Sequence, residues 1–439
     1  MRTDRGNGNR GSGGVESKWT RLLRLLYPGV GLKRWLLVGA VGVAICSIGL
    51  AFLVRKLLAV TFPDFLPSNF EGALLLAVGI GFIVVALYGL FRCIGPILFE
   101  SATIESLADT IYTRRSLDRG PRIVAIGGGT GLSVLLRGLK SHTSNLTAVI
   151  TVADDGGSSG RLRKELGVLP PGDFRNCLVA MSKTETLLTD LFQYRFGQGN
   201  GLAGHSFGNL FIVAMTEVTE SFERAIYESS RVLAVHGRIV PATVANLRLS
   251  ASFKDGTVVK GESAITEKGG QIDRLFLDPK DAESYPLAAE AIQQAQMIVI
   301  GPGSLYTSIL PNLLVGGISR AIAQSHAPKL YICNVATERG ETDDYTIADH
   351  VDALQRHTFP EIVDYVVAND DPQDIGDKFV GEAVVDDGRP IQHAGLELRR
   401  LTDSEHPVRH DSAMLARVVM DIYEAGRRTR PRTKTAGRA

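Results

Sequence analysis

Three carboxylates, an arginine and two glycine-rich turns lie within some fifty residues of one another in this chain, in a pattern suited to a phosphorylated ligand. Asp154 and Asp155 run straight into Gly156-Gly157-Ser158-Ser159-Gly160, and Asp173, Arg175 and Asn176 follow in the segment PPGDFRN. Upstream, GGGTG supplies Gly128, Gly129, Thr130 and Gly131. Glycines let a ligand approach the backbone closely. The glycine-serine run is able to form a nest of backbone N–H groups for an anion. Arg175 is able to clamp a phosphate through two N–H groups, and Asp154 and Asp155 are candidate ligands for Mg²⁺ beside it. Phosphoryl or nucleotidyl transfer fits these residue types. Plain binding fits them equally, as does an Asp173–Arg175 salt bridge within the loop.

The elements that would position these groups are legible on either side. Ile123 to Ile126 reads as a buried strand, followed by the GGGTG turn and an amphipathic helix carrying Leu132, Leu135, Leu136 and Leu139. The free N–H groups at such a helix start favour an anion. A second strand, Leu146 to Val152, delivers Asp154 and Asp155 to its carboxyl end, where ribose hydroxyls are held in dinucleotide-binding units. Leu132 stands where G-x-G-x-x-G requires its third glycine, which counts against an NAD(P) site. A third turn, GPGSLYTS, repeats the strand–glycine–hydroxyl design with Gly303, Ser304 and Tyr306, the last available to stack on a ring or bond a sugar; a plain Pro-Gly turn with a packed tyrosine is the alternative. His205 and Asn209 open an apolar helix after a glycine-rich loop, and Arg339 follows a buried strand ending near Val335. A structural histidine and a solvated charged turn are the plainer readings of those two places. No P-loop or spaced Cys–His pair is present.

Composition narrows the class. Lys plus Arg number 48 against 47 Asp plus Glu, a balance that argues against nucleic acid as a partner. The four cysteines show neither metal-type nor C-x-x-C spacing. Residues 1–34 read as a basic, disordered N-terminus. Two uncharged runs, Trp35 to Val54 and Gly72 to Phe91, each have the length to span a bilayer core, so 35–92 reads as a transmembrane hairpin. Flanking arginines and lysines put both ends in the cytoplasm, giving a multi-pass plasma-membrane protein. Residues 93–120 form a linker, 121–426 an α/β domain and 427–439 a disordered tail. The expected fold is a Rossmann-like parallel sheet with helices on both faces and a small antiparallel β excursion at about 238–276, signalled by Lys254-Asp255-Gly256 between short alternating runs.

The motifs GGGTG, ADDGGSSGRLR, PPGDFRN, GHSFGN, GPGSLYTS and RGETD, in that order, resemble the gluconeogenesis factor family of bacterial proteins, related to 2-phospho-L-lactate transferase. The resemblance covers about 121–425. It implies a regulator of carbon metabolism, cell shape and wall synthesis that binds UDP-N-acetylglucosamine or a related UDP-sugar, with no settled enzymatic reaction; a Mg²⁺-dependent transferase of a phosphorylated small molecule is the alternative. It further implies that Gly128, Thr130 and Gly131 surround the diphosphate with Asp154 and Asp155 close by. Asn176, His205 and Asn209 would line the floor, and Tyr306 and Arg339 would contact the nucleotide sugar. Thr342 falls where some relatives carry a regulatory phosphorylation site, which would make a protein kinase a partner; self-association is left open. The helical front departs from the family's usual start near Arg122.

Overall fold

The computed structural model describes residues 32–57, 69–98, 115–183, 187–371 and 381–429, in two units, Met1–Ser116 and Leu117–Ala439. The readings of a disordered N-terminus and tail fall almost wholly outside the described residues, as does much of the linker.

In the first unit, α1 (Leu32–Leu57) packs against α2 (Asn69–Leu98). Small residues form the seam: a Cβ on Gly79 would meet Cys46 Sγ at 2.5 Å, and one on Gly89 would run into the Trp35 ring. Among the described residues no helix is long and apolar enough to cross a membrane. That finding overturns the expected transmembrane hairpin and, with it, the multi-pass plasma-membrane assignment.

The second unit is organised by seven parallel strands in the order β10-β9-β8-β7-β1-β2-β3. They are β1 (Ile123–Gly127), β2 (Leu146–Ile150), β3 (Arg238–Pro241), β7 (Met297–Ile300), β8 (Lys329–Ile332), β9 (Tyr365–Asn369) and β10 (Gly395–Arg399). Every residue of β1 and β7 is buried, as strands covered on both faces require. The chain first builds outward from β1 through β2 to β3, then returns to β7 on the other side of β1 and builds to β10. This reversal leaves a crevice between the carboxyl ends of β1 and β7, the place where open α/β sheets take ligands.

Helices α3 (Gly129–Leu139), α4 (Gly157–Leu166) and α5 (Gly172–Met181) follow the first two strands. Helix α6 (Leu187–Gln193), α7 (Phe207–Thr219) and α8 (Phe222–Val232) come next. The serines before α7 and α8 cap them, each accepting the backbone N–H three residues on. The antiparallel layer is β4 (Arg248–Phe253), β5 (Val258–Lys260) and β6 (Ile272–Asp278) in the order β5-β4-β6, with α9 (Glu262–Lys268) between β5 and β6. The excursion thus runs from 248 to 278. The expected start at 238 belongs to β3, an edge strand of the main sheet, because so short a strand, Arg-Ile-Val-Pro, gives no sign of parallel or antiparallel pairing. Helix α10 (Ile347–His357) begins on a capping box of Thr346 and Asp349. The last helix, α11 (Ser412–Thr429), lies on α3 where Gly138 has no side chain: a Cβ there would meet Ala416 Cβ at 2.7 Å.

Candidate functional site

A cleft of about 370 Å³ opens at the β1/β7 reversal. Three chain segments wall it: Gly128–Gly131 after β1, Pro302–Ser304 with Ser308 after β7, and Asn334–Glu338 after β8, with Arg137, Arg409 and His410 completing the rim. Its floor is backbone packed on backbone. A Cβ on Gly131 would meet Pro302 O at 2.7 Å and Gly303 N at 2.9 Å, and Asn334 Oδ1 accepts the Gly303 N–H at 3.2 Å. Helix α3 begins in this floor without a side-chain cap from Gly128, so its start offers N–H groups and the positive end of the helix dipole. The Asp173 carboxyl lies beside the Gly128–Gly129 backbone at this start, while Thr130 and Gly131 of the same first turn line the cleft. Two exposed guanidinium groups, Arg137 and Arg409, add positive charge. This end suits a phosphate.

Of the sequence-expected residues, Gly128, Gly129, Thr130, Gly131, Gly303 and Ser304 come together here. Arg137, Asn334, Glu338, Arg409 and His410 went unremarked. Arg137 shares the helix that GGGTG opens, and Asn334 and Glu338 follow β8, so position alone could have raised those three. Arg409 and His410 reach the cleft because α11 docks on α3 immediately after them. His410 bonds to Cys333 O at 3.1 Å, and burial pushes its pKa down to about 4, so it is neutral. Burial first and Glu341 second raise Glu338 to about 7 against the pull of the Ser304 hydroxyl.

The remaining expected residues form a neighbouring cluster at the carboxyl end of β2. Asp154 Oδ1 accepts the Gly156 N–H at 2.9 Å. Asp155 accepts from Glu262 N and Ser263 N at 2.9 Å and from Ser263 Oγ at 2.8 Å, so it caps α9 of the small sheet. Burial and the nearby Asp154 raise Asp173 to about 7, and burial with the same three aspartates raises Glu262 to about 9. The Gly157–Ser159 run is the first turn of α4. Ser159 Oγ accepts Gly172 N–H at 3.0 Å, while Ser158 Oγ lies 2.9 Å from His205 Nδ1 and accepts from Asn209 Nδ2 at 3.0 Å. Arg175 donates to Ser206 Oγ at 2.6 Å and to Asn176 Oδ1 at 2.8 Å. Its terminal nitrogens thus tie α5 to α7, and a phosphate clamp is not their geometry.

Mg²⁺ binds through one or two carboxylates and completes its shell with water and phosphate oxygens. Asp154 and Asp173, mutually repelling, fit that demand; Asp155 fits it less well, because α9 already takes three of its acceptor positions. Among the described residues no group of three His, Cys, Asp or Glu side chains is arranged to hold a metal.

Three expectations meet geometry that opposes them. Tyr306 has no exposed surface, and its hydroxyl pairs with Tyr345 OH at 2.8 Å, so it packs in the core and cannot stack on a ligand. The strand, glycine turn and helix expected around it are there: β7 leads through the turn into a π-type turn, Leu305–Ile309, that continues as the short helix Leu310–Leu313. Arg339 is exposed and does not line the cleft. Thr342 is fully buried, its Oγ1 accepting the Glu338 N–H at 2.8 Å, so a kinase could reach it only after the loop opens.

The family profile described as 2-phospho-L-lactate transferase CofD matches residues 123–425. A gluconeogenesis factor of Halalkalibacterium halodurans is 49% identical over 317 residues, 72% of this chain and 98% of its own. That of Bacillus subtilis is 48% identical over 314 residues, 69% and 98% of the two chains. A Nostoc relative under the same family name is 45% identical over 428 residues, covering 91% of this chain and 92% of its own. That match must reach past the α/β unit into the front, whereas the Halalkalibacterium and Bacillus relatives are covered almost whole by about 70% of this chain, so the front sets this chain apart from those relatives and not from the Nostoc one. A crystal structure of a Bacillus halodurans protein superposes with a TM-score of 0.66 at 48% identity, covering 69% of this chain and all of the other. By its fold, its ordered motifs and these relatives, the chain belongs to the gluconeogenesis factor family, built on a domain of the 2-phospho-L-lactate transferase type.

Proposed function

We propose that the β1/β7 cleft binds a nucleoside-diphosphate sugar, UDP-N-acetylglucosamine being the expected ligand, and that the chain is a regulator reporting this ligand to carbon metabolism, cell shape and wall synthesis. The observation that carries the reading is the anion-suited lining of the cleft: Thr130 and Gly131 in the first turn of α3, with the guanidinium groups of Arg137 and Arg409 elsewhere on the rim. The cleft's size lies in the range of small-ligand pockets, about 300–1,000 Å³. The family relationship supports a regulatory role through the relatives' shared name, gluconeogenesis factor.

One observation favours a second reading. Asp154, Asp173 and Glu262 crowd one another beside the cleft, and perturbed carboxylates of this kind accompany catalysis. A Mg²⁺-dependent transferase of a phosphorylated small molecule would use them. Calorimetric titration with UDP-N-acetylglucosamine, with and without Mg²⁺, followed by analysis of the recovered ligand, separates the two. Saturable binding of intact ligand, weakened at least tenfold by Arg137→Ala, is the expected result. Absence of binding sinks the sensor, and ligand consumed only with Mg²⁺ moves the assignment to the transferase.

A further inference from the structure

We infer that Glu338 reads the hydroxyl-bearing part of the ligand, so that the bound molecule lies across β1, β7 and β8 with its phosphate on the start of α3 and a sugar hydroxyl on the Glu338 carboxyl. This deepens the proposed binding reading and rests on it.

In the usual dinucleotide arrangement the ribose hydroxyls go to a carboxylate after the second strand. Here the carboxylates at that position are committed elsewhere. Asp155 caps α9 and Asp154 holds the Gly156 N–H, and neither lines the cleft. Glu338 is the one carboxyl among the described cleft-lining residues. Its acidic side chain opposes anion binding unless it has a partner of its own in the ligand, and hydroxyl donors are the chemistry a carboxylate accepts. The Ser304 hydroxyl occupies part of its accepting capacity, leaving lone pairs for another donor.

The carboxyl is also held in place in advance. Thr342 Oγ1 accepts the Glu338 N–H at 2.8 Å, and Glu338 O accepts the N–H groups of Glu341 at 3.0 Å and Thr342 at 2.9 Å. The backbone that carries Glu338 is therefore closed on itself. The β8 end lies two strand spacings from the β1 end, about 10 Å, a gap that a phosphate joined to a sugar can bridge. N–H donors at the β1 end and a carboxyl at the β8 end make the cleft directional.

The test is calorimetry on the full chain with two probes, UDP-N-acetylglucosamine and inorganic pyrophosphate. Glu338→Gln should weaken the sugar nucleotide about tenfold and leave pyrophosphate unchanged or tighter; Glu338→Asp, which keeps the charge, should recover part of the loss. Arg137→Ala should weaken both probes. Equal loss of both probes in Glu338→Gln, or unchanged binding of both, overturns the inference while leaving the site intact. Pyrophosphate binding without UDP-N-acetylglucosamine binding to the wild type overturns the nucleotide-sugar reading and this inference together.

Discussion

Replacing Asp155 with alanine should loosen α9 and the small antiparallel layer while leaving the parallel sheet intact. The carboxylate accepts three hydrogen bonds of 2.8–2.9 Å from Glu262 N, Ser263 N and Ser263 Oγ, and its own N–H goes back to Glu262 Oε2 at 2.9 Å. This is a helix cap supplied from a distant strand end. Loss of an N-cap costs about 0.5–2 kcal/mol, and hydrogen bonds to a charged group are worth about 1.5–3 kcal/mol. The two figures describe the same bonds, and Asp155 is only half-buried, so about 2 kcal/mol is the expected cost. At about 1.4 kcal/mol per factor of ten, that is about 30-fold in the local opening equilibrium. Native-state hydrogen exchange is the assay. Amides of 262–268 should exchange about 30-fold faster in the variant, with those of β1 and β7 unchanged, because Glu341 still reaches Thr266 and the buried Ile265 still anchors the helix. Exchange in α9 within threefold of wild type would refute the capping argument. Equal acceleration in β1 would show that the layer does not open on its own.

The Asp173 carboxyl predicts a pH signature. Its folded-state pKa stands near 7 against an ordinary 3.8, so the folded chain binds the extra proton and stability falls as pH rises from about 4 to about 7, by up to about 1.4 kcal/mol per pH unit. Asp173→Asn should make that slope shallower, with the raised Glu262 and Glu338 still contributing, read as urea midpoints at pH 5 and pH 8; a variant with the wild-type slope would count against the crowding of Asp173 by Asp154. Gly131→Ala places a methyl group 2.7–2.9 Å from the Pro302 and Gly303 backbone. It should cost about 1–3 kcal/mol by overpacking and weaken pyrophosphate binding, measured by thermal unfolding and calorimetry; an unperturbed variant would mean that the two turns are not in contact.

Much of the architecture was legible because it rests on local rules. Buried strands such as Ile123 to Ile126 and Met297 to Ile300 are continuous apolar runs, the glycines after them mark turns, and Thr346 with Asp349 signals the start of α10. The candidate cleft was legible in the same way, through the glycine turns that end β1 and β7. Tyr306 was misjudged because a tyrosine beside a glycine turn looks the same in sequence whether its ring meets a ligand or, as here, Tyr345 and His357. Asp155 looked like a metal ligand because its partners, Glu262 and Ser263, are more than a hundred residues away.

The amino-acid order alone thus settles which segments become strands and where the sheet's turns fall. Backbone preference, apolar periodicity and helix-end chemistry act over a few residues. Which carboxylates face the cleft was decided only on folding. The return of the chain to β7 beside β1 opened the crevice and brought Glu338 to it. Docking of α11 on Gly138 delivered Arg409 and His410, and docking of α9 against the end of β2 turned Asp155 from a candidate ligand into a cap. Long-range packing decided those roles, because a side chain's partner depends on which distant segment fills the space beside it.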